Sequence, residues 1–250
     1  MERLVMIGRD FPELGEISLK SLGPAQACIS AGSDPDSPSF AYKGDKVCPN
    51  EDGLVVLKEG DLWLFAVADG HLGHHSSHAL LDGIGQFKKV PARLGPLSLA
   101  LSAGEWIDET AGGTTLLLAC CDETNGSVFG LSFGDSSLVT LGPGGAQVRN
   151  QVNEMYLRGG GPIEVEQGRP FQFTLAKGEI MLLFTDGVNE CCYRDPFRSV
   201  KLQHLEQLYS QHRENPAALT QALMETALRG VDGNPGGQDN IVILTFPFTD

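Results

Sequence analysis

Acidic residues recur in one local setting along this chain: an apolar run that ends in aspartate. LFAVADGH ends at Asp69, MLLFTDGV at Asp186 and GLSFGDSS at Asp135. Two further acidic sites stand in turns that lead into apolar runs. Asn50, Glu51 and Asp52 precede GLVVL, and Asp239 with Asn240 precedes IVILTF. Carboxylates at strand ends are fixed by rigid elements yet open to solvent. Hard cations such as magnesium and manganese take oxygen ligands and keep several waters. Several such carboxylates meeting at one sheet edge can hold two ions, and a pair roughly 3.5–4 Å apart can clamp the attacking and leaving oxygens of a displacement at phosphorus and lower the pKa of a water between them. The glycines after Asp69 and Asp186 suit a tight turn and would let a backbone carbonyl approach a metal. The plainer reading is that Asp-Gly and Asp-Asn are common turn dipeptides. One such pair alone says little, and the joint pattern carries the argument.

The elements that must position these residues follow from periodicity. GLVVLKEG, LWLFAVADG, GTTLLLACC, SVFGLSFGDSSLVTLG, PFQFTLAKG, EIMLLFTDG and NIVILTFPF are apolar or alternating runs of strand length, mostly bounded by Gly, Asp or Asn. Helical patterns occupy HHSSHALLDGIGQF, LQHLEQLYSQHRE and NPAALTQALMETALRG; the last has Asn215 placed as an N-cap and Pro216 at the first helical position. Strands dominate the middle and helices fall in two zones. This is not the strand-helix alternation of a doubly wound sheet, and it predicts an α+β fold of antiparallel sheets covered by helices. The first 45 or so residues are harder to read. ISLKSLG and QACISAG could be short strands, and SDPDSPS is a turn-rich loop.

Composition narrows the class. The chain has 250 residues, 41% hydrophobic and 20% charged, which is ordinary for a soluble globular protein. The formal net charge of −14 argues against a nucleic-acid or anionic-membrane partner. Phosphorylated substrates stay open if cations neutralise the site locally. None of the six cysteines forms a C-x-x-C pair, so they read as buried thiols rather than a zinc ribbon. The N-terminus lacks a signal-peptide pattern, and no run approaches the roughly 18 apolar residues of a membrane helix. A cytoplasmic monomer built as one domain over residues 1–250 is the expectation, with residues 1–40 as a stretch that could be an extension.

Taken in order, these segments resemble the type 2C family of metal-dependent protein phosphatases. The matching motifs are NEDG at Asn50–Gly53, FAVADGHLG at Phe65–Gly73, GGTTLLL at Gly112–Leu118, FGDSS at Phe133–Ser137, LLFTDGVNE at Leu182–Glu190 and GGQDNIVI at Gly236–Ile243. The resemblance implies an αββα four-layer sandwich: two antiparallel sheets packed face to face, helices outside, and metals in a cleft at one end. It implies hydrolysis of phosphoserine and phosphothreonine in a protein substrate, with two manganese or magnesium ions, in signalling by dephosphorylation. Carried over, Asp69 bridges both ions, Glu51 and the Gly70 carbonyl complete the contacts to one, and Asp186 and Asp239 hold the other. Asp52 orients water from behind the ligands, and Asn240 supports the site. His71 is the general acid, with a pKa range suited to proton transfer. Some bacterial members hold a third ion through an acidic residue before the Gly-Thr-Thr motif, and Asp108 stands at about that spacing.

The sequence departs from the family in two places. An arginine that grips the substrate phosphate usually stands three residues before the Asn-Glu-Asp motif, and here that position is Val47. Lys46 is adjacent and offers a point charge without the bidentate fork. The stretch between Asp135 and Asp186 is also short, leaving QVNEMYLRGGGPIEVEQGRP in place of a longer flap. Arg158 in that stretch stands either at the cleft rim or simply exposed on a loop, and an open cleft would suit a folded protein substrate. A rival reading is therefore a catalytically weak relative that binds phosphoproteins or scaffolds partners. A second rival is a zinc hydrolase, since His71 with His75 and His74 with His78 stand at i, i+4. However, no Glu lies between them in the H-E-x-x-H sense.

Overall fold

A computed structural model describes residues 1–37, 50–104, 112–159 and 162–249. In chain order the strands and helices are β1 (Glu2–Ile7), β2 (Ser18–Leu22), β3 (Ala25–Ser30), β4 (Gly53–Glu59), β5 (Leu62–Ala68), β6 (Gly70–His71), α1 (His75–Gly85) and α2 (Leu94–Ser102). They continue with β7 (Gly113–Thr114), β8 (Leu116–Asp122), β9 (Ser127–Phe133), β10 (Ser137–Gly142), β11 (Gly145–Val148), β12 (Leu157–Arg158) and β13 (Arg169–Thr174). The chain then forms β14 (Ile180–Phe184), α3 (Leu202–His212), α4 (Pro216–Arg229) and β15 (Ile241–Pro247).

The strands form two six-stranded antiparallel sheets, ordered β1-β4-β5-β8-β9-β13 and β11-β10-β14-β15-β3-β2. A small three-stranded sheet, β12-β7-β6, caps one end. The central strands are apolar at almost every position because both of their faces are covered. In β4, Leu54 and Val56 face the second sheet, whereas Val55 and Leu57 face the helices. In β15, Val242, Leu244 and Phe246 point between the sheets, and Ile241 and Ile243 point outward. Leu80, Leu81 and Ile84 of α1, with Leu97 and Leu101 of α2, cover the outer face of the first sheet. Leu205 of α3 and Leu219, Leu223 and Met224 of α4 cover the second. The result is the expected αββα order of layers.

Between the sheets an aromatic group fixes the spacing. Trp63 and Phe65 of β5 stack with ring centroids 5.8 Å apart. Phe246 of β15 meets both, at 5.1 and 5.0 Å. Such contacts add about 0.5–1.5 kcal/mol each beyond the area they bury.

Several local expectations hold. The Asn215 side chain accepts a hydrogen bond from the Ala218 N–H, and Pro216 opens α4. The ISLKSLG and QACISAG segments are β2 and β3, and β3 pairs with β15. Others needed the structure. SVFGLSFGDSSLVTLG reads as one run, yet it breaks at Gly134–Ser136 so that β9 lies in the first sheet and β10 in the second. β1 and α2 have no clear signal in the sequence. The α2 sequence LGPLSLALS hides its periodicity because its exposed face also carries an apolar residue, Leu99, at 72% exposure. No described helix is long and apolar enough to cross a membrane.

Candidate active site

Register places the acidic residues at one end of the sandwich. In the first sheet, Gly53 at the start of β4 pairs with Ala68 at the end of β5, which brings Glu51 and Asp69 to the same edge. In the second, Phe184 at the end of β14 pairs with Ile243 near the start of β15, so Asp186 and Asp239 share that edge. Asp135 lies in the crossing from one sheet to the other. These strand ends open on a cleft of about 280 Å³ lined by Glu51, Asp69, Gly70, His71, Asp135, Tyr156, Asp186, Glu190 and Asp239, with Leu72 and Tyr193 beside them.

Hydroxyl groups hold the backbone beneath the carboxylates. The Asp69 carbonyl accepts from the Thr115 N–H and the Thr114 hydroxyl, both at 2.9 Å, and the Asp69 N–H donates to Thr115 Oγ1 at 2.9 Å. Thr115 Oγ1 lies 2.9 Å from Ser136 Oγ, next to Asp135. Two bonds join the sheets behind Glu51 and Asp52. Thr185 Oγ1 donates to Asp52 Oδ2 at 2.6 Å, and the Glu51 N–H donates to Asn240 Oδ1 at 3.0 Å. Asn240 in turn donates from Nδ2 to the Ala31 carbonyl, 3.0 Å away. These buried bonds lock four chain segments together around the cleft.

The glycines beside Asp69 and Asp186 serve close approach rather than a left-handed turn; neither is among the positive-φ positions. A Cβ on Gly187 would stand 1.9 Å from the Asn240 carbonyl oxygen, and one on Gly70 would stand 2.9 Å from both the Gly73 carbonyl oxygen and Ser77 Oγ. Leu72 at the cleft mouth does adopt a positive φ of 65°. That conformation is sparsely populated for a non-glycine residue and is a mark of functional sites.

Asp69, Asp135 and Asp186 each present a carboxylate oxygen within 4.8 Å of the others. At an effective dielectric of about 20, each such pair of charges repels by roughly 3–4 kcal/mol before solvent screening. Asp135 Oδ1 is buried without a hydrogen-bond partner among the described residues, while Tyr156 Oη donates to Oδ2 at 2.9 Å. Burial, reinforced by the charges of Asp135 and Asp239, raises the Glu190 pKa above the usual carboxylate range. Burial and then Asp135 raise that of Tyr156. An all-oxygen donor set, crowded like charges and an unsatisfied carboxylate oxygen together fit a hard divalent cation.

His71 Nδ1 lies 3.4 Å from Asp69 Oδ2, and its ring centroid lies 4.2 Å from that of Tyr156. The other histidines do not join it. His74 packs on His75 and His78, and His78 Nε2 bonds the Asn50 carbonyl at 3.0 Å. Among the described residues, the metal-capable cluster contains no histidine.

Of the sequence-derived site residues, Glu51, Asp69, Gly70, His71, Asp186 and Asp239 converge on the cleft. Asp52 is buried behind it, against Thr185. Lys46, Val47 and Asp108 lie outside the described residues. Asp135 is visible in the sequence as a strand-ending aspartate, but its nearness to Asp69 and Asp186 depends on the change of sheet at Gly134–Ser136, which the sequence hides. In the sequence Glu190 shows only as the end of the LLFTDGVNE motif. Tyr156 stands in a stretch with no readable pattern.

The sequence model of stage II sporulation protein E (SpoIIE) matches residues 100–248. No curated protein matches the chain by sequence. Among solved structures, RsbX in complex with magnesium is 14% identical, with a TM-score of 0.59, covering 92% of this chain and 98% of its own. The serine/threonine phosphatase of S. agalactiae is 15% identical with a TM-score of 0.65, covering 93% and 99%. The Mycobacterium tuberculosis serine/threonine phosphatase PstP/Ppp is 18% identical with a TM-score of 0.61, again covering 93% and 99%. At these identities the likeness establishes a shared fold.

Proposed function

We propose, for a chain that belongs to the stage II sporulation protein E family and so to the type 2C phosphatases, that it hydrolyses phosphoserine and phosphothreonine in a protein substrate with two manganese or magnesium ions. The observation that carries the reading is the meeting of Asp69, Asp135 and Asp186, with Glu51 and Asp239 on the same cleft. Asp69 with Glu51 and the Gly70 carbonyl would hold one ion, and Asp69 with Asp186 and Asp239 the other. Asp108 would serve a third. When bound, the ions supply a water activated at neutral pH and neutralise the phosphate.

The chain's own side chains do the rest. His71 gives a proton to the departing seryl or threonyl oxygen. Asp69 Oδ2, 3.4 Å from Nδ1, places a carboxylate charge beside the imidazole, and Nε2 would serve the leaving group. Asp52, fixed by Thr185, steadies the segment that carries Glu51 and orients water from behind it. Lys46 would contribute a positive charge towards the substrate phosphate. The test is hydrolysis of an aryl phosphate and a phosphopeptide with manganese added. Asp69→Asn and Asp186→Asn are each expected to lower kcat at least a hundredfold without unfolding the chain. A wild-type protein that is folded, binds manganese and hydrolyses neither substrate would leave the phosphoprotein-binding reading in its place.

A further inference from the structure

The cleft poses an electrostatic problem that its lining does not solve. Among the described residues that line it, the ionisable groups are five aspartates and glutamates of the strand ends, Glu190, His71 and two tyrosines, with no lysine or arginine. A phosphate monoester entering that field needs a cation that is not a metal ligand, both to orient it and to offset the acidic rim.

The three-stranded cap supplies one. Arg158 of β12 pairs with Gly113 of β7, and Gly113 pairs with His71 of β6. Residues directly opposite one another in an antiparallel ladder point to the same face. Leu157, in the neighbouring row with Thr114 and Gly70, points the other way and is buried. The geometry around Gly113 agrees. A Cβ there would lie 3.5 Å from Tyr156 Cβ and 3.7 Å from Arg158 Cγ, so both stems stand on its open side. Tyr156 on that side reaches His71 and Asp135. The Arg158 side chain is exposed and makes no hydrogen bond, ion pair or ring contact among the described residues. Two strand spacings, about 9–10 Å, separate its backbone from that of His71. Gly113 puts no side chain between them, the Tyr156 side chain stands on the same face beside both, and an extended arginine with a phosphate group spans a distance of that order.

We infer that Arg158 grips the substrate phosphate, entering from the cap on the face shared with His71 and Tyr156. This rests on the phosphatase reading above. It adds a planar, bidentate guanidinium contact to the point charge proposed for Lys46.

The experiment is steady-state kinetics with an aryl phosphate, alongside inhibition by inorganic phosphate, for the manganese-loaded full chain. For Arg158→Ala, KM and the phosphate inhibition constant are expected to rise together by about tenfold or more, with a smaller fall in kcat. Arg158→Lys is expected to recover part of the loss. Arg213→Ala removes the same charge at the end of α3 and is expected to change neither constant. Unchanged KM and inhibition constants in Arg158→Ala overturn the assignment, as does an equal effect from Arg213→Ala. If the wild type hydrolyses nothing, the phosphatase reading falls. Calorimetric titration of inorganic phosphate into the wild type and Arg158→Ala then decides the arginine alone. Equal affinities, or no binding to the wild type, overturn it.

Discussion

Asp135 shows how one residue can be plain in sequence and still lack a role until the chain is folded. Its strand-ending position was legible, and so were those of Asp69 and Asp186. Its nearness to both was not, because that depends on β9 and β10 belonging to different sheets. The consequence is a prediction with opposite signs in two conditions. Without metal, Asp135→Asn removes one of three crowded charges and is expected to stabilise the fold by about 1 kcal/mol, less than the pairwise Coulomb figure because Asp135 is partly solvated. With saturating manganese, the wild type is expected to gain stability by mass action and the variant to gain much less. Paired thermal melts with and without manganese check this, and a variant less stable than wild type in both conditions contradicts it.

Helix α1 carries a titration of its own. Its histidine spacing was readable as a possible chelate, but the structure turns His78 inward to the Asn50 carbonyl, beside the segment that bears Glu51. Burial, with the neighbouring His74 charge, lowers the His78 pKa to about 4, while nearby Asp82 opposes the shift and Arg9 adds to it. The folded value lies below the unfolded value of about 6.5, so the unfolded chain binds more protons between those limits. Stability contributed by this group is therefore complete above about pH 6.5 and falls as the pH drops towards 4, by up to about 3 kcal/mol. Urea midpoints at pH 7.5 and pH 5 are expected to fall further for the wild type than for His78→Gln, whose amide can still donate to the carbonyl. Equal falls would show that His78 does not titrate as described. Elements with a clean polar boundary, such as α4 behind Asn215, were legible from sequence. Those without one, such as α2, were not, since an apolar helix segment and an apolar strand share the same composition.

At the scale of the molecule, the two sheets meet the cleft as separate halves joined by few polar links. Thr185 Oγ1 to Asp52 Oδ2 is one, buried and spanning the interface. Thr185→Val keeps the shape but leaves the carboxylate without that donor, and the Val242 N–H without its 3.0 Å acceptor. The expected cost is about 2–3 kcal/mol, read as a lower urea midpoint with an unchanged slope. A loss below about 0.5 kcal/mol would mean that the link matters little. Antiparallel sheets covered by helices were legible because strands buried on both faces announce themselves as unbroken apolar runs, whereas the four-layer order followed only from the resemblance to the type 2C family. The pairing order was not legible, because it depends on long-range contacts that periodicity does not encode.

The aromatic group formed by Trp63, Phe65 and Phe246 belongs to β5 and β15, the strands that also lead to Asp69 and Asp239. Hydrocarbon thus sets the gap across which the acidic groups face one another, although those groups left to themselves would move apart. Packing of the interior opposes that repulsion. The grease at the centre of the sandwich is what holds the frame of the cleft together.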